Sequence, residues 1–137
     1  MTPEDIASLA YLAWPDTPWS LDAIKQTCRL PTTHVLTRGN EAFLMAQIIP
    51  PEAEIYLIAT DPDHRRKGFA RDMLLELKSM VSRILLEVRA DNDAALRLYQ
   101  HQGFEIVGRR KSYYLNFDGP NVDALTMTWT RAEAHPA

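Results

Sequence analysis

The sequence predicts a mixed α/β domain, and three observations carry that expectation. Between residues 54 and 90 a strand, an amphipathic helix and a second strand follow one another, an order that sets two parallel strands side by side. Arg38-Gly39-Asn40-Glu41 lies between two apolar runs, as the tight turn of a hairpin does, so antiparallel pairing accompanies the parallel pair. Segments with helical apolar spacing open the chain and recur after each strand of the parallel pair.

The elements follow in order. "TPEDIASLAYLAW" begins with a Thr cap, Pro at the first helical position and two acids in the first turn, with Ile6, Leu9, Ala10 and Ala13 on one stripe. "DTPWSLDAIKQTCRL" reads as a turn and a second helix capped by Ser20 and ended near Pro31. "THVLTRGNEAFLMAQII" gives the hairpin, and Glu54 to Thr60 a further strand between proline brackets. A third helix is expected from about Arg66 to Met80, with Phe69, Met73, Leu74, Leu77 and Met80 as its apolar stripe. "RILLEVRA" reads as a strand, and "DNDAALRLYQHQGF" as a helix capped by Asp91 or Asn92 and stopped at Gly103. "FEIVGRR", "SYYLNF" and "ALTMTWT" read as strands, "DGPN" as a turn and "RAEAHPA" as a frayed tail. With no repeat or linker, residues 1–137 are expected to form one domain.

Composition narrows the function. A net charge of −3 and a pI near 5.8 speak against general nucleic-acid binding, which needs a basic face. The single cysteine, Cys28, has no partner for an internal disulfide and no histidine signal for covalent catalysis. The N-terminus carries acids where a signal peptide carries cations, and no apolar run reaches the ~20 residues of a membrane span. A soluble, cytoplasmic protein is expected. His34, His64, His101 and His135 show no metal-ligand spacing, so no metal is expected.

Against this acidic background, "DPDHRRKGFARDM" gathers cations at the expected start of the third helix. A helix start already carries partial positive charge and unpaired N–H groups, so cations there call for a compensating anion. Gly68 has no side chain and Ala70 almost none, so a ligand can approach the backbone donors closely. Such a loop suits a pyrophosphate, whereas a solvated basic face is the plain alternative. The triphosphate-loop and dinucleotide fingerprints are both absent.

Arg-x-x-Gly-x-Ala after a strand and opening an amphipathic helix resembles the acyl-CoA-binding motif of the GNAT acetyltransferases, Gln/Arg-x-x-Gly-x-Gly/Ala. "EIYLIATDPDHRRKGFARDML", "LLEVRADNDAALRLYQHQGFEIVGRRKSYY" and "DGPNVDALTMTW" are similar, in that order, to the second half of the ribosomal-protein-alanine N-acetyltransferase (RimI) group of that family. "PWSLDAIKQ" is similar to the Pro-Trp-Ser stretch of the same group. The resemblance implies the GNAT fold: a mixed, mostly antiparallel sheet with a central parallel strand pair and helices on both faces. It implies acetyl-CoA as acyl donor, with the pantetheine arm entering where a bulge splays the parallel strands. The matching positions are Ile58, Ala59 and Thr60 for the arm, Arg66, Lys67, Gly68, Phe69, Ala70 and Arg71 for the pyrophosphate, and Asn92 for a further contact.

The same resemblance assigns the chemistry. An amine must lose a proton before it attacks a thioester, and the departing thiolate is helped by a donor. Glu87, inside "ILLEVRA", matches the base, its partial burial tuning it for that task. Tyr99, twelve residues on, matches the acid. Read from the residues alone, Glu87 is an ordinary strand glutamate and Tyr99 an ordinary core tyrosine. Tyr113 and Tyr114 match a tyrosine pair bordering the acceptor groove, and Trp19 reads as packing. The implied reaction acetylates a protein N-terminus, the S18 alanine, by direct attack in a ternary complex. Competing readings are a lysine or small-molecule amine as acceptor, and a non-catalytic acyl-CoA sensor. A monomer or weak dimer with a protein N-terminus as partner, and neither nucleic acid nor membrane, completes the expectation. Two departures from the family are expected to matter. Met1 runs almost directly into the first helix, so the family's first strand is expected to be missing or vestigial, leaving a sheet edge exposed or open to a partner chain. "KSMVSRILLEV" leaves little room for a loop before the Glu87 strand.

Overall fold

The computed structural model describes residues 1–115 and 119–132. The end of "SYYLNF", Asp118 of "DGPN" and the tail from 133, with His135, lie outside them. The order is α1 (Pro3–Ala13), α2 (Leu21–Cys28), β1 (Thr33–Arg38), β2 (Ala42–Ile49), β3 (Glu52–Thr60), α3 (Phe69–Met80), β4 (Arg83–Arg89), α4 (Asp93–His101), β5 (Glu105–Tyr114) and β6 (Val122–Thr130). They form one six-stranded sheet in the order β1-β2-β3-β4-β6-β5, antiparallel throughout except between β3 and β4.

Local chemistry accounts for the helix starts. The Thr2 hydroxyl accepts from the Asp5 amide at 3.1 Å while the Asp5 carboxylate accepts from the Thr2 amide at 2.9 Å, a reciprocal cap. Ser20 caps α2 and Asn92 caps α4 through a single side-chain bond, each accepting from a backbone amide at 3.1 Å. The third helix begins later than expected, at Phe69. Arg66 and Gly68 both hold left-handed backbone, at φ +70° and +81°, so Arg65-Arg66-Lys67 belong to the loop after a short 3₁₀ turn at Pro62–His64. Met80 turns outward at the end of α3, so the stripe that meets the sheet is Met73, Leu74 and Leu77 with Phe69 packed beside it. "FEIVGRR" and "SYY" are one strand, β5, kinked where its register with β6 shifts between Arg110 and Tyr114 and Ser112 takes φ +55°.

Two cores lie on opposite faces of the sheet. Met73, Leu74 and Leu77 of α3 and Tyr99 of α4 pack on Leu44, Ala46, Ile55, Ile84, Leu86 and Val88. Ile6, Leu9 and Ala10 of α1 and Ile24 of α2 pack on Phe43, Met45, Leu57 and Ala59. Burying each large apolar side chain contributes roughly 1.5–3 kcal/mol. Along β3, Ile55 belongs to the first core, whereas Tyr56 and Leu57 both belong to the second. The β2–β3 register shifts at the same point: Ala46 faces Ile55, Met45 faces Leu57, and Tyr56 is the extra residue.

Candidate active site

The bulge at Tyr56 coincides with a parting of the parallel strands. β3 and β4 pair only at Glu52 with Arg83, Ala53 with Ile84, and Glu54 with Leu85. Beyond that, β3 runs on to Thr60 bonded to β2 alone, and β4 to Arg89 bonded to β6 alone. Each therefore presents an open backbone edge in the sheet's interior, which needs partners from elsewhere. The gap is a cleft of about 940 Å³. Its walls come from both faces: Gly68 to Arg71, Ala95, Leu98 and Tyr99 on the α3/α4 side, and Ala10, Ala13, Trp14 and Asp16 on the α1/α2 side. The cleft thus passes through the sheet.

At the α3 end, Gly68 occupies the cap position with no side-chain cap, so the first-turn amides are unclaimed by any capping side chain. A Cβ built on Gly68 would meet nothing within 4 Å, so the space above these donors is open. Arg65, Arg66 and Arg71 line it. Donors, dipole and cations on one rim fit an anion such as a pyrophosphate. The open edge of Ile58, Ala59 and Thr60 fits an extended arm carrying amide groups. Of the residues matched to coenzyme binding, Ile58, Ala59, Thr60, Arg66, Gly68, Phe69, Ala70, Arg71 and Asn92 line the cleft. Lys67 does not line it, and its Nζ donates to His64 Nδ1 at 2.9 Å instead. The Asn92 side chain is engaged as the α4 cap while it borders the cleft.

Glu87 and Tyr99 approach the cleft from opposite faces. Leu86 and Val88 point into the α3/α4 core, so alternation along β4 turns Glu87 and Arg89 toward the α1/α2 side. Glu87 is partly exposed, with Oε1 3.3 Å from Arg110 Nε on β5. Tyr99 is 5% exposed, against the Phe104 ring at 5.5 Å. Burial, with a smaller contribution from Tyr114, pushes its hydroxyl far above the ordinary tyrosine value. It therefore stays protonated, as a hydrogen-bond donor must. Tyr114 also lines the cleft, and burial, then the nearby Glu87 carboxylate, raises its hydroxyl as well. Tyr113 is exposed beside it, under the Arg110 guanidinium at 5.1 Å.

Several contacts around the cleft carried no legible signal in the sequence. Arg65 Nη2 donates to the Ala13 carbonyl at 3.3 Å, tying the anion loop to the end of α1. The Trp14 ring meets Tyr114 edge-on at 6.2 Å. Arg89 holds Asp91 through two bonds of 3.0 Å and lies 5.6 Å from the Tyr114 ring. Elsewhere, Trp19 packs on Tyr56 at 5.9 Å. Burial raises the Cys28 thiol, which disfavours a thiolate there. No cluster of metal-ligating side chains occurs among the described residues.

A splayed parallel pair, a basic helix start with open amides and a carboxylate opposite a buried tyrosine are what an acyl-transferase site calls for. The profile of the acetyltransferase (GNAT) family matches residues 6–104, and the chain belongs to that family. Ribosomal protein bS18-alanine N-acetyltransferase of Escherichia coli (strain K12) is 41% identical over 91 residues, 63% of this chain and 61% of that protein. The match therefore spans about three fifths of that relative's length. N-alpha-acetyltransferase RimI of Mycobacterium tuberculosis is 34% identical over 109 residues, 72% of this chain and 69% of that protein. The crystal structure of the ribosomal-protein-S18-alanine N-acetyltransferase from Escherichia coli superposes with a TM-score of 0.83 at 30% identity, covering 97% of this chain and 90% of that one. No described helix is long and apolar enough to cross a membrane.

Proposed function

We propose that the protein is an acetyl-CoA-dependent N-acetyltransferase acting on the α-amino group of a protein N-terminus, the alanine of ribosomal protein S18 being the acceptor. The observation that carries this reading is the pairing of Glu87 and Tyr99 across a cleft that is open through the sheet. Arg66, Gly68 to Arg71 and the loop amides hold the pyrophosphate, and the edge of Ile58 to Thr60 aligns the pantetheine arm. Acetyl-CoA supplies the thioester carbonyl. Glu87 takes the proton from the acceptor ammonium, directly or through one water, and the freed nitrogen attacks the carbonyl carbon. As the carbon–sulfur bond breaks, Tyr99 gives its proton to the coenzyme sulfur, and the second nitrogen proton passes to the tyrosinate, directly or through water, leaving a neutral amide. Relatives named for N-terminal alanine acetylation, one of them alike over nearly the whole chain, support the choice of acceptor. Residues 1–137 acting as one catalytic domain, without metal, in the cytoplasm where ribosomal proteins are made, belong to the same proposal.

Intact-mass analysis tests it. The panel holds an S18-like peptide beginning with alanine, the same peptide with a blocked N-terminus, and a lysine-bearing control, each with acetyl-CoA. One acetyl on the free N-terminus alone, much slower with Glu87→Gln and Tyr99→Phe, is the expected result. Acetylation of the blocked peptide moves the acceptor to lysine. Coenzyme binding without transfer to any peptide overturns the peptide-acceptor reading and leaves a small amine or a sensor.

A further inference from the structure

The acceptor side of the cleft ends in two aromatic rings that come from different parts of the chain. Trp14 closes α1, its amide donating to the Ala10 carbonyl at 2.8 Å and its own carbonyl accepting from the Thr17 amide at 3.0 Å. Both sides of its backbone are thereby fixed. Tyr114 stands at the end of β5, past the kink at Ser112, where the Ser112 amide is held by the Asp123 carboxylate at 2.8 Å. The rings touch edge to face, with centroids 6.2 Å apart and planes at 71°. At that separation no side chain passes between them.

The Tyr114 ring is also held from behind. The Arg89 guanidinium lies 5.6 Å from its centroid, and Tyr113 meets it edge-on at 5.1 Å. Arg89 is itself fixed, its side chain only 18% exposed and its fork bonded twice to Asp91. Trp14, Asp16, Glu87, Arg89 and Tyr114 all line the α1/α2 side of the cleft, the side opposite the anion loop's helix.

We propose that Trp14 and Tyr114 form an aromatic gate, pinned by Arg89, that limits the acceptor to a peptide whose first side chain is small. The inference rests on the N-terminal acetyltransferase reading and names the residues that set acceptor size. An N-terminal alanine or serine places its amine beside Glu87 beneath the closed rings. A leucine or methionine requires the edge-to-face contact to break, and with it the stacking on Arg89.

The test compares kcat/KM for peptides identical except for alanine, serine or leucine at the first position, in wild type, Trp14→Ala, Trp14→Phe and Arg89→Met. The wild type is expected to prefer alanine over leucine, and Trp14→Ala to reduce that preference by at least about tenfold. Trp14→Phe restores part of it, and Arg89→Met erodes it in the same direction. The preference is a ratio, so a general loss of fold, followed by coenzyme binding in each variant, leaves it unmoved. A wild type that takes leucine as readily as alanine, or a Trp14→Ala variant with an unchanged ratio, overturns the gate. A wild type that acetylates no peptide N-terminus overturns the underlying reading, and with it the gate, before any variant is consulted.

Discussion

Glu87 and Leu86 are neighbours on β4 that face opposite halves of the molecule: Leu86 is sealed in the core beneath α3 and α4, and Glu87 faces the α1/α2 side. The carboxylate sits where the sheet opens, within reach of Arg110 at 3.3 Å. Its environment is that of a reagent more than of a core residue. Glu87→Gln keeps the size and removes the proposed base. It is expected to lower kcat by roughly a hundred-fold or more, while the loss of a half-exposed ion pair changes stability by less than about 1 kcal/mol. Steady-state kinetics and a urea melt on the same preparation check both halves.

Tyr99, the proposed acid, also bears on alkaline stability. Its folded hydroxyl is held well above the ordinary value by burial, so the folded state keeps its proton where the unfolded state loses it. The stabilising contribution is complete below about pH 10 and is lost as pH rises beyond it, at about 1.4 kcal/mol per pH unit. Urea midpoints at a pH below and a pH above that point are expected to fall more steeply for wild type than for Tyr99→Phe. Equal slopes would remove Tyr99 as the cause.

Gly68 separates strain from ligand contact. Alanine there meets no atom within 4 Å, so its cost in the free protein is the left-handed backbone alone, about 1–2 kcal/mol. The added methyl projects into the space assigned to the pyrophosphate. Calorimetric titration with acetyl-CoA is expected to show weaker binding than the stability change explains.

Asn92 invites a similar separation. Asn92→Ala strands the Ala95 amide and is expected to destabilise by about 1 kcal/mol. Asn92→Ser keeps a capping oxygen and restores most of that stability. If Asn92 also touches the coenzyme, affinity for acetyl-CoA stays reduced in the serine variant. Full recovery of affinity would make it a cap and nothing more.

The caps at Thr2 and Ser20 and the hairpin at Arg38–Glu41 were legible because each is local and rests on named side chains. The anion loop was legible as composition, but its backbone was not. Two left-handed residues, Arg66 and Gly68, delay α3 by three residues, and only glycine advertises such geometry in a sequence. Alternation alone left the direction of Glu87 open. The core assignment of Leu86 and Val88 decides it. Trp14, Arg89 and Arg110 went unmarked because the partners that place them at the site lie far off in the chain, contacts that leave no periodicity behind.

In the proposed reaction, the slot through the sheet gives each reactant its own doorway. A molecule seated from the α3/α4 face leaves the approach from α1 and α2 clear, so neither partner has to vacate the protein before the other arrives. Only the tip of the proposed peptide acceptor would need to reach the slot, and its bulk can stay outside. For an enzyme of this shape, the extra residue at Tyr56 is what turns a wall into a passage.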